Sequence, residues 1–213
     1  KDKHQYKKVE LKNFEINLNT KNFKKYKNFF SKKINLIPIK LLKGKIIFFD
    51  GNNYVASIND VNLNLVVEGD LKEIELKGKF LNDNIYITLK NKKDEGKSIT
   101  DLILKMTDLN LLTKTNFINS EQDKDAISGN ILIKKNKHRF TGIFDYMNNE
   151  ITINKSNLKN IFLDGNLEGK IKLIPYFNFN LDLSLNSIDF TKLYNSFLAL
   201  DEMNQKNLFK INR

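Results

Sequence analysis

Phe177-Asn178-Phe179-Asn180-Leu181-Asp182-Leu183-Ser184-Leu185-Asn186 alternates apolar and polar residues without a break. Successive side chains of a β-strand point to opposite faces, so the stretch predicts a strand of roughly 30 Å with one greasy and one wet side. The pattern recurs through the chain, in Val61/Leu63/Leu65/Val67, Ile85/Ile87/Leu89 and Leu102/Leu104/Met106. Turn signals separate the runs: Asp50-Gly51-Asn52-Asn53, Gly69-Asp70, Lys135-Asn136-Lys137 and Met147-Asn148-Asn149. Short alternating runs joined by tight turns predict a mainly β chain, an extended, curved antiparallel meander sheet.

Three places in the chain rhyme. Leu18-Asn19-Thr20-Lys21-Asn22-Phe23, Leu104-Lys105-Met106-Thr107-Asp108-Leu109 and Leu185-Asn186-Ser187-Ile188-Asp189-Phe190 each end an alternating run at an Asn or Asp followed by helical spacing. An Asn or Asp side chain accepts an orphan backbone N–H at a helix start, so Asn22, Asp108 and Asp189 are read as N-caps. The three helical runs would carry Phe23/Tyr26/Phe30, Leu109/Leu112 and Phe190/Leu193/Phe197/Leu200. The chain then divides into repeated modules with short capped helices between them. Residues 1–35 end a preceding module, 36–118 form a β module with its closing helix, and 119–213 form a second with a C-terminal helix. A change of phase near Lys12-Asn13 predicts a bulge or break, and Pro38 separates the first piece from the first whole module.

With 213 residues, 40% of them hydrophobic and 16 of them Phe, the chain can bury a large apolar area. It has no Cys, which excludes a disulfide framework and thiolate metal sites. No run approaches the roughly 18 consecutive apolar residues of a membrane span. Beginning at Lys1 rather than Met, the chain is expected to be an excised or processed piece, with any anchor upstream. The net charge of +11 raises nucleic acid or anionic lipid as partners. The cations are nearly all scattered Lys, with only Arg139 and Arg213 offering the forked geometry that base or phosphate recognition favours, so no nucleic-acid partner is expected. Lys24, Lys25, Tyr26 and Lys27 come nearest to a basic and aromatic strip, and the helical stripe claims Tyr26.

Catalytic signals are sparse. His4 sits in a charged stretch and His138 in a turn between Lys137 and Arg139. No His/Cys cluster has metal-ligand spacing, no Gly-rich phosphate loop appears, and no Ser lies in a nucleophile elbow. Asp108 and Asp189 recur in register, but helix capping explains them more simply than paired carboxylates. We therefore expect no enzyme, no cofactor and no metal.

Several motifs together resemble the AsmA-like family of bacterial envelope proteins. A Gly opens each module before a β run (Leu42-Lys43-Gly44-Lys45-Ile46 and Ile127-Ser128-Gly129-Asn130-Ile131), and Ile58-Asn59-Asp60-Val61-Asn62-Leu63 begins an alternating strand. A mid-module Leu-x-Gly recurs (Leu76-Lys77-Gly78, Leu163-Asp164-Gly165, Leu167-Glu168-Gly169), and the last strand closes on Ile188-Asp189-Phe190-Thr191-Lys192-Leu193. The resemblance covers most of residues 36–200. It implies long, curved sheets of repeating β units with an apolar concave face, similar to bridge-like lipid transfer proteins. Such proteins are anchored in the inner membrane and cross the periplasm, with phospholipid, bacterial membranes and envelope proteins as partners. The anchor would lie outside this chain.

An alternating strand must keep its apolar side dry. The sheet either curls over its own helices into a closed core or stays open as a trough that acyl chains complete. The residues alone leave both open, and the resemblance favours the trough. Its lining is then Leu63, Leu65, Val67, Ile85, Ile87, Leu102 and Leu104 in the first module, and Phe177, Phe179, Leu181, Leu183 and Leu185 in the second. A closed core would instead make the chain a structural or adaptor module for outer-membrane protein assembly.

Overall fold

The computed structural model describes residues 8–22, 36–94, 96–120, 126–172, 178–196 and 198. They form one large, curved, unclosed sheet of thirteen strands. In chain order these are β1 (Val9–Lys12), β2 (Glu15–Asn19), β3 (Leu36–Asp50), β4 (Asn53–Glu68), β5 (Leu71–Phe80), β6 (Asp83–Asp94) and β7 (Lys97–Met106). After them come β8 (Leu111–Ser120), β9 (Ile127–Lys135), β10 (His138–Met147), β11 (Glu150–Lys159), β12 (Leu163–Lys172) and β13 (Asn178–Ile188). From β3 to β13 each strand pairs antiparallel with the next, as the alternation and turn signals predict.

The exception to antiparallel pairing lies at the first edge, where β1 and β2 run parallel to β3, one after the other. Between them falls the predicted break. Asn13 takes a φ of 56°, its N–H donates to Leu42 O at 3.0 Å, and Phe14 O accepts from the N–H of Lys45 at 2.9 Å. The Phe14 ring lies directly over Gly44, where any Cβ would overlap it. Pro38 does not end a module but sits inside β3, where the register against β4 shifts between Leu36 and Ile39 and no ladder donor is needed.

Curvature comes from extra residues. Lys43 in β3 and Asp60 in β4 take φ of 55° and 51° beside register shifts, and β10 to β13 carry further shifts at Ile143/Phe144, Ile153/Leu158 and Asp164/Gly165. Each bulge bends its strand and increases the local twist. Between β5 and β10 the ladders run without a shift. Ile46, Ile58, Val61, Leu76, Ile85 and Met106 make the buried cluster, backed by Phe14, Ile16, Leu18 and Phe48.

Of the three predicted caps, one holds. Asp189 Oδ1 accepts the N–H of Lys192 at 3.0 Å, and α1, residues 190–196, follows as the α-helix among the described residues. Phe190 of its expected stripe is exposed rather than packed, and Phe197 and Leu200 lie outside the described residues. At Asn22 a 3-10 turn, Thr20–Asn22, ends rather than begins. Asn19 serves it, accepting from Lys21 N at 3.0 Å and donating to Gly51 O at 2.9 Å. The stripe Phe23/Tyr26/Phe30 lies outside the described residues.

The helix expected at Asp108 is absent. Residues 107–110 form a turn, and Leu109 and Leu112 fall in that turn and in β8. What settles the turn is Asp83, whose carboxylate accepts Asp108 N–H at 2.8 Å and Leu109 N–H at 3.1 Å. Burial opposes the Asp83 charge, but the backbone N–H groups of Asp108, Leu109 and Asn84 outweigh it and hold its pKa below the usual carboxylate value.

Two outcomes test this account. Gly44→Ala lowers unfolding stability by about 1–3 kcal/mol in urea titrations, and in a Phe14→Ala background the loss disappears because the ring no longer fills the space. Asp83 contributes stability above the unfolded carboxylate pKa of about 3.9, which is lost as pH falls through its depressed folded value. Acid titration monitored by circular dichroism therefore shows a shallower loss in Asp83→Asn, which starts from a lower stability at pH 7.

Candidate lipid-binding face

Directly opposed residues in a ladder share a face. Leu63, Leu76, Ile87, Leu104, Thr113, Ile133, Phe140 and Leu158 oppose one another in turn from β4 to β11. The neighbouring row runs Leu65, Ile74, Leu89, Leu102, Thr115 and Ile131. Val67 and Ile85 fall on the same side, so all seven lining residues expected in the first module share one face. On β13, Phe179, Leu181, Leu183 and Leu185 oppose Ile171, Gly169, Leu167 and Gly165, and β11 and β12 carry that side back to the same face. Phe177 lies outside the described residues.

Two glycines of β12 leave no room for a side chain against β13: a Cβ at Gly165 would strike the backbone oxygen of Ser184, and one at Gly169, at a φ of 131°, that of Asn180. The expected lining leaves out Ile133, Phe140, Phe144, Ile153 and Leu167, which the ladders place on the same face. Of these, Ile153 is the one whose own strand breaks its alternation, the register of β11 shifting on both sides of it.

Coverage is the decisive property. Among the described residues, every substantial contact between strands is between hydrogen-bonded neighbours, and no second layer lies over the sheet. Phe179 is 60% exposed, Leu183 47% and Leu185 48%. Lining residues in the first module are better covered, Val67 and Ile85 being buried.

A polar seam crosses this face. Val67 opposes Lys72, Lys72 opposes Asn91, and Asn91 opposes Thr100. All three polar side chains are buried. Asn91 Nδ2 donates to Ser98 Oγ and Thr100 Oγ1, each at 2.7 Å, while among the described residues its Oδ1 accepts nothing. Burial pushes the Lys72 pKa down, Lys93 adds to that, and Asp70 opposes both.

The other face is wet. Lys90 pairs with Glu73 at 2.8 Å, Asn116 donates to Asp101 at 2.7 Å, and Ser128 and Asn154 both donate to Asp145. Those two donors hold the Asp145 pKa down. Over β7 to β11 this side borders a shallow hollow of roughly 740 Å³, where Ile103, Leu132 and Ile143 alternate with Lys114, Lys155 and Asp101. Tyr86 lies under Lys77 and Lys105, 5.6 and 6.0 Å from its ring centre.

His138 is exposed at the start of β10. Among the described residues no group of three or more His, Cys, Asp or Glu is placed to hold a metal ion, and no helix is long and apolar enough to cross a membrane. Comparison with family models, curated proteins and solved structures finds no match for this chain.

Because the folded state disfavours the Lys72 ammonium, it opposes folding at neutral pH, and the opposition is relieved as pH rises through the depressed pKa toward the ordinary value of about 10.4. Urea midpoints measured from pH 7 to 11 rise over that window relative to Lys72→Met, in which no such rise occurs.

Proposed function

We propose that this chain is a non-enzymatic lipid-handling module, whose apolar sheet face carries the acyl chains of phospholipid. The observation that supports it is the exposure of Leu183 and Leu185 on β13, on a side continuous in register with the face of β4 to β12. Burying a methylene is worth about 0.8 kcal/mol, so a long acyl chain prefers such a surface to water. Contacts of this kind are non-directional and allow the chain to slide along successive strands.

The resemblance to AsmA-like proteins extends the reading to its setting. In that setting the module belongs to a periplasmic assembly held in the inner membrane by a segment outside this chain, moving phospholipid between bacterial membranes. A second reading, an adaptor in outer-membrane protein assembly, draws on β13 as an edge strand of eleven residues able to pair with a partner strand.

Protein purified without detergent is expected to carry phospholipid detectable by mass spectrometry. Leu183→Asp, at a half-exposed position, lowers the bound lipid at least severalfold while leaving the urea midpoint nearly unchanged. Absence of lipid in the wild-type preparation favours the adaptor.

A further inference from the structure

In a meander the turns fall alternately on two rims. One rim carries the β3–β4, β5–β6, β7–β8, β9–β10 and β11–β12 turns and the start of α1. There the exposed residues include Tyr54 and Val55, Leu81, Leu109, Ile161, and then Phe190 and Tyr194 of α1. The remaining turn, between β9 and β10, is cationic: Lys134, Lys135, Lys137 and Arg139 are all exposed, and residues 126–144 contain no Asp or Glu. On the opposite rim the turn tips among the described residues are Gly69 and Asp70, Gly96, and Asn148 and Asn149, none of them apolar; the strand ends beside them carry Glu68, Asp94 and Glu150, the cations Lys92 and Lys97, and the exposed Leu71, Ile118 and Met147.

Leu81 is the clearest member. It is 80% exposed and takes a φ of 50° beside Asn82 at 67°, a tight hairpin turn that Asn-Gly would fill with less strain. A large apolar residue held in a left-handed conformation and offered to solvent is unfavourable for stability on both counts.

We propose that this rim docks on an anionic phospholipid membrane surface, with its apolar tips entering the interface and the β9–β10 turn binding headgroup charge. Spacing favours lipid over a protein partner. Turns on one rim are two strands apart, about 10 Å, so the tips form a row of single anchors rather than the clustered patch of a protein hot spot. Apolar anchors among cations are the pattern of interfacial binding to anionic lipid. This surface is distinct from the sheet face proposed to hold acyl chains, and the two can fail separately.

The chain has no Trp, so one introduced Trp reports its own surroundings. Full-length Leu81→Trp is expected to shift its emission to the blue on adding phosphatidylglycerol/phosphatidylcholine vesicles, while Leu71→Trp on the opposite rim does not. In flotation assays Leu81→Asn, which suits the left-handed turn and keeps the fold, weakens vesicle binding about fivefold to tenfold. Lys135→Gln/Lys137→Gln weakens it further at low salt. Failure of the wild-type protein to float, or equal Trp shifts on both rims, overturns the proposal. Flotation without lipid in the detergent-free preparation leaves the rim standing and removes the acyl-chain face.

Discussion

Among the described residues the sheet is a single layer, with only the pleat to separate oil from water. Thirteen strands satisfy one another's backbone groups, so the hydrogen-bond ladder asks for nothing above or below the sheet. Side-chain parity does ask for something, because one side of nearly every strand is apolar. The described residues meet that demand unevenly. Seven of the eight buried hydrophobic residues, all but Ile153, lie on β3 to β7. There Phe14, Ile16, Leu18 and Phe48 pack against the buried cluster, in which Val61 is fully buried. From β8 to β12 the same face is half-buried or buried, Ile153 on β11 among the buried positions, and on β13 Phe179, Leu183 and Leu185 are exposed. The exposed apolar side is thus concentrated on the last strand rather than in a pocket.

Much of this was legible in the sequence because period two is a strong signal wherever no bulge intervenes. Leu63/Leu65/Val67 and Phe179/Leu181/Leu183 announce both strand and face, and Asn148-Asn149 announces its turn. Asp189 was legible as a cap because the helix it starts depends on local spacing. Asp108 misled for the opposite reason. Leu109 and Leu112 match a helical spacing of three, but the conformation is fixed by Asp83, a residue 25 positions earlier whose carboxylate takes the turn's N–H groups. Parallel pairing of β1 and β2 was equally hidden, since an alternating strand does not encode the direction of its neighbour.

Bulges explain why β11 reads poorly as a strand face. At Ile153 and Leu158 the register against β12 shifts, so two residues on one face are separated by an odd number of positions. A strict alternation template breaks there, yet the fold keeps both on the apolar side. Bulging is therefore the device by which this sheet curves without exchanging its faces, and it obscures the pattern in the same strands that bend most.

The pleat sorts side chains into two faces, and the meander independently sorts turns into two rims. Nothing in the physics of the strands requires the rims to differ, because a turn needs only residues tolerant of its dihedral angles. Asn148-Asn149 and Leu81-Asn82 adopt the same left-handed pair of conformations, one with two residues suited to it and one with a leucine that is not. Folding alone favours Asn or Gly at both places. At the turn tips the difference follows the rim, Leu109 and Ile161 standing against Asp70, Gly96 and Asn149, while Leu71, Ile118 and Met147 are exposed on the strand ends beside the tips of the second rim. Strand geometry does not account for that difference, since the two turns share the same pair of left-handed conformations, and the membrane surface proposed for the first rim would account for it.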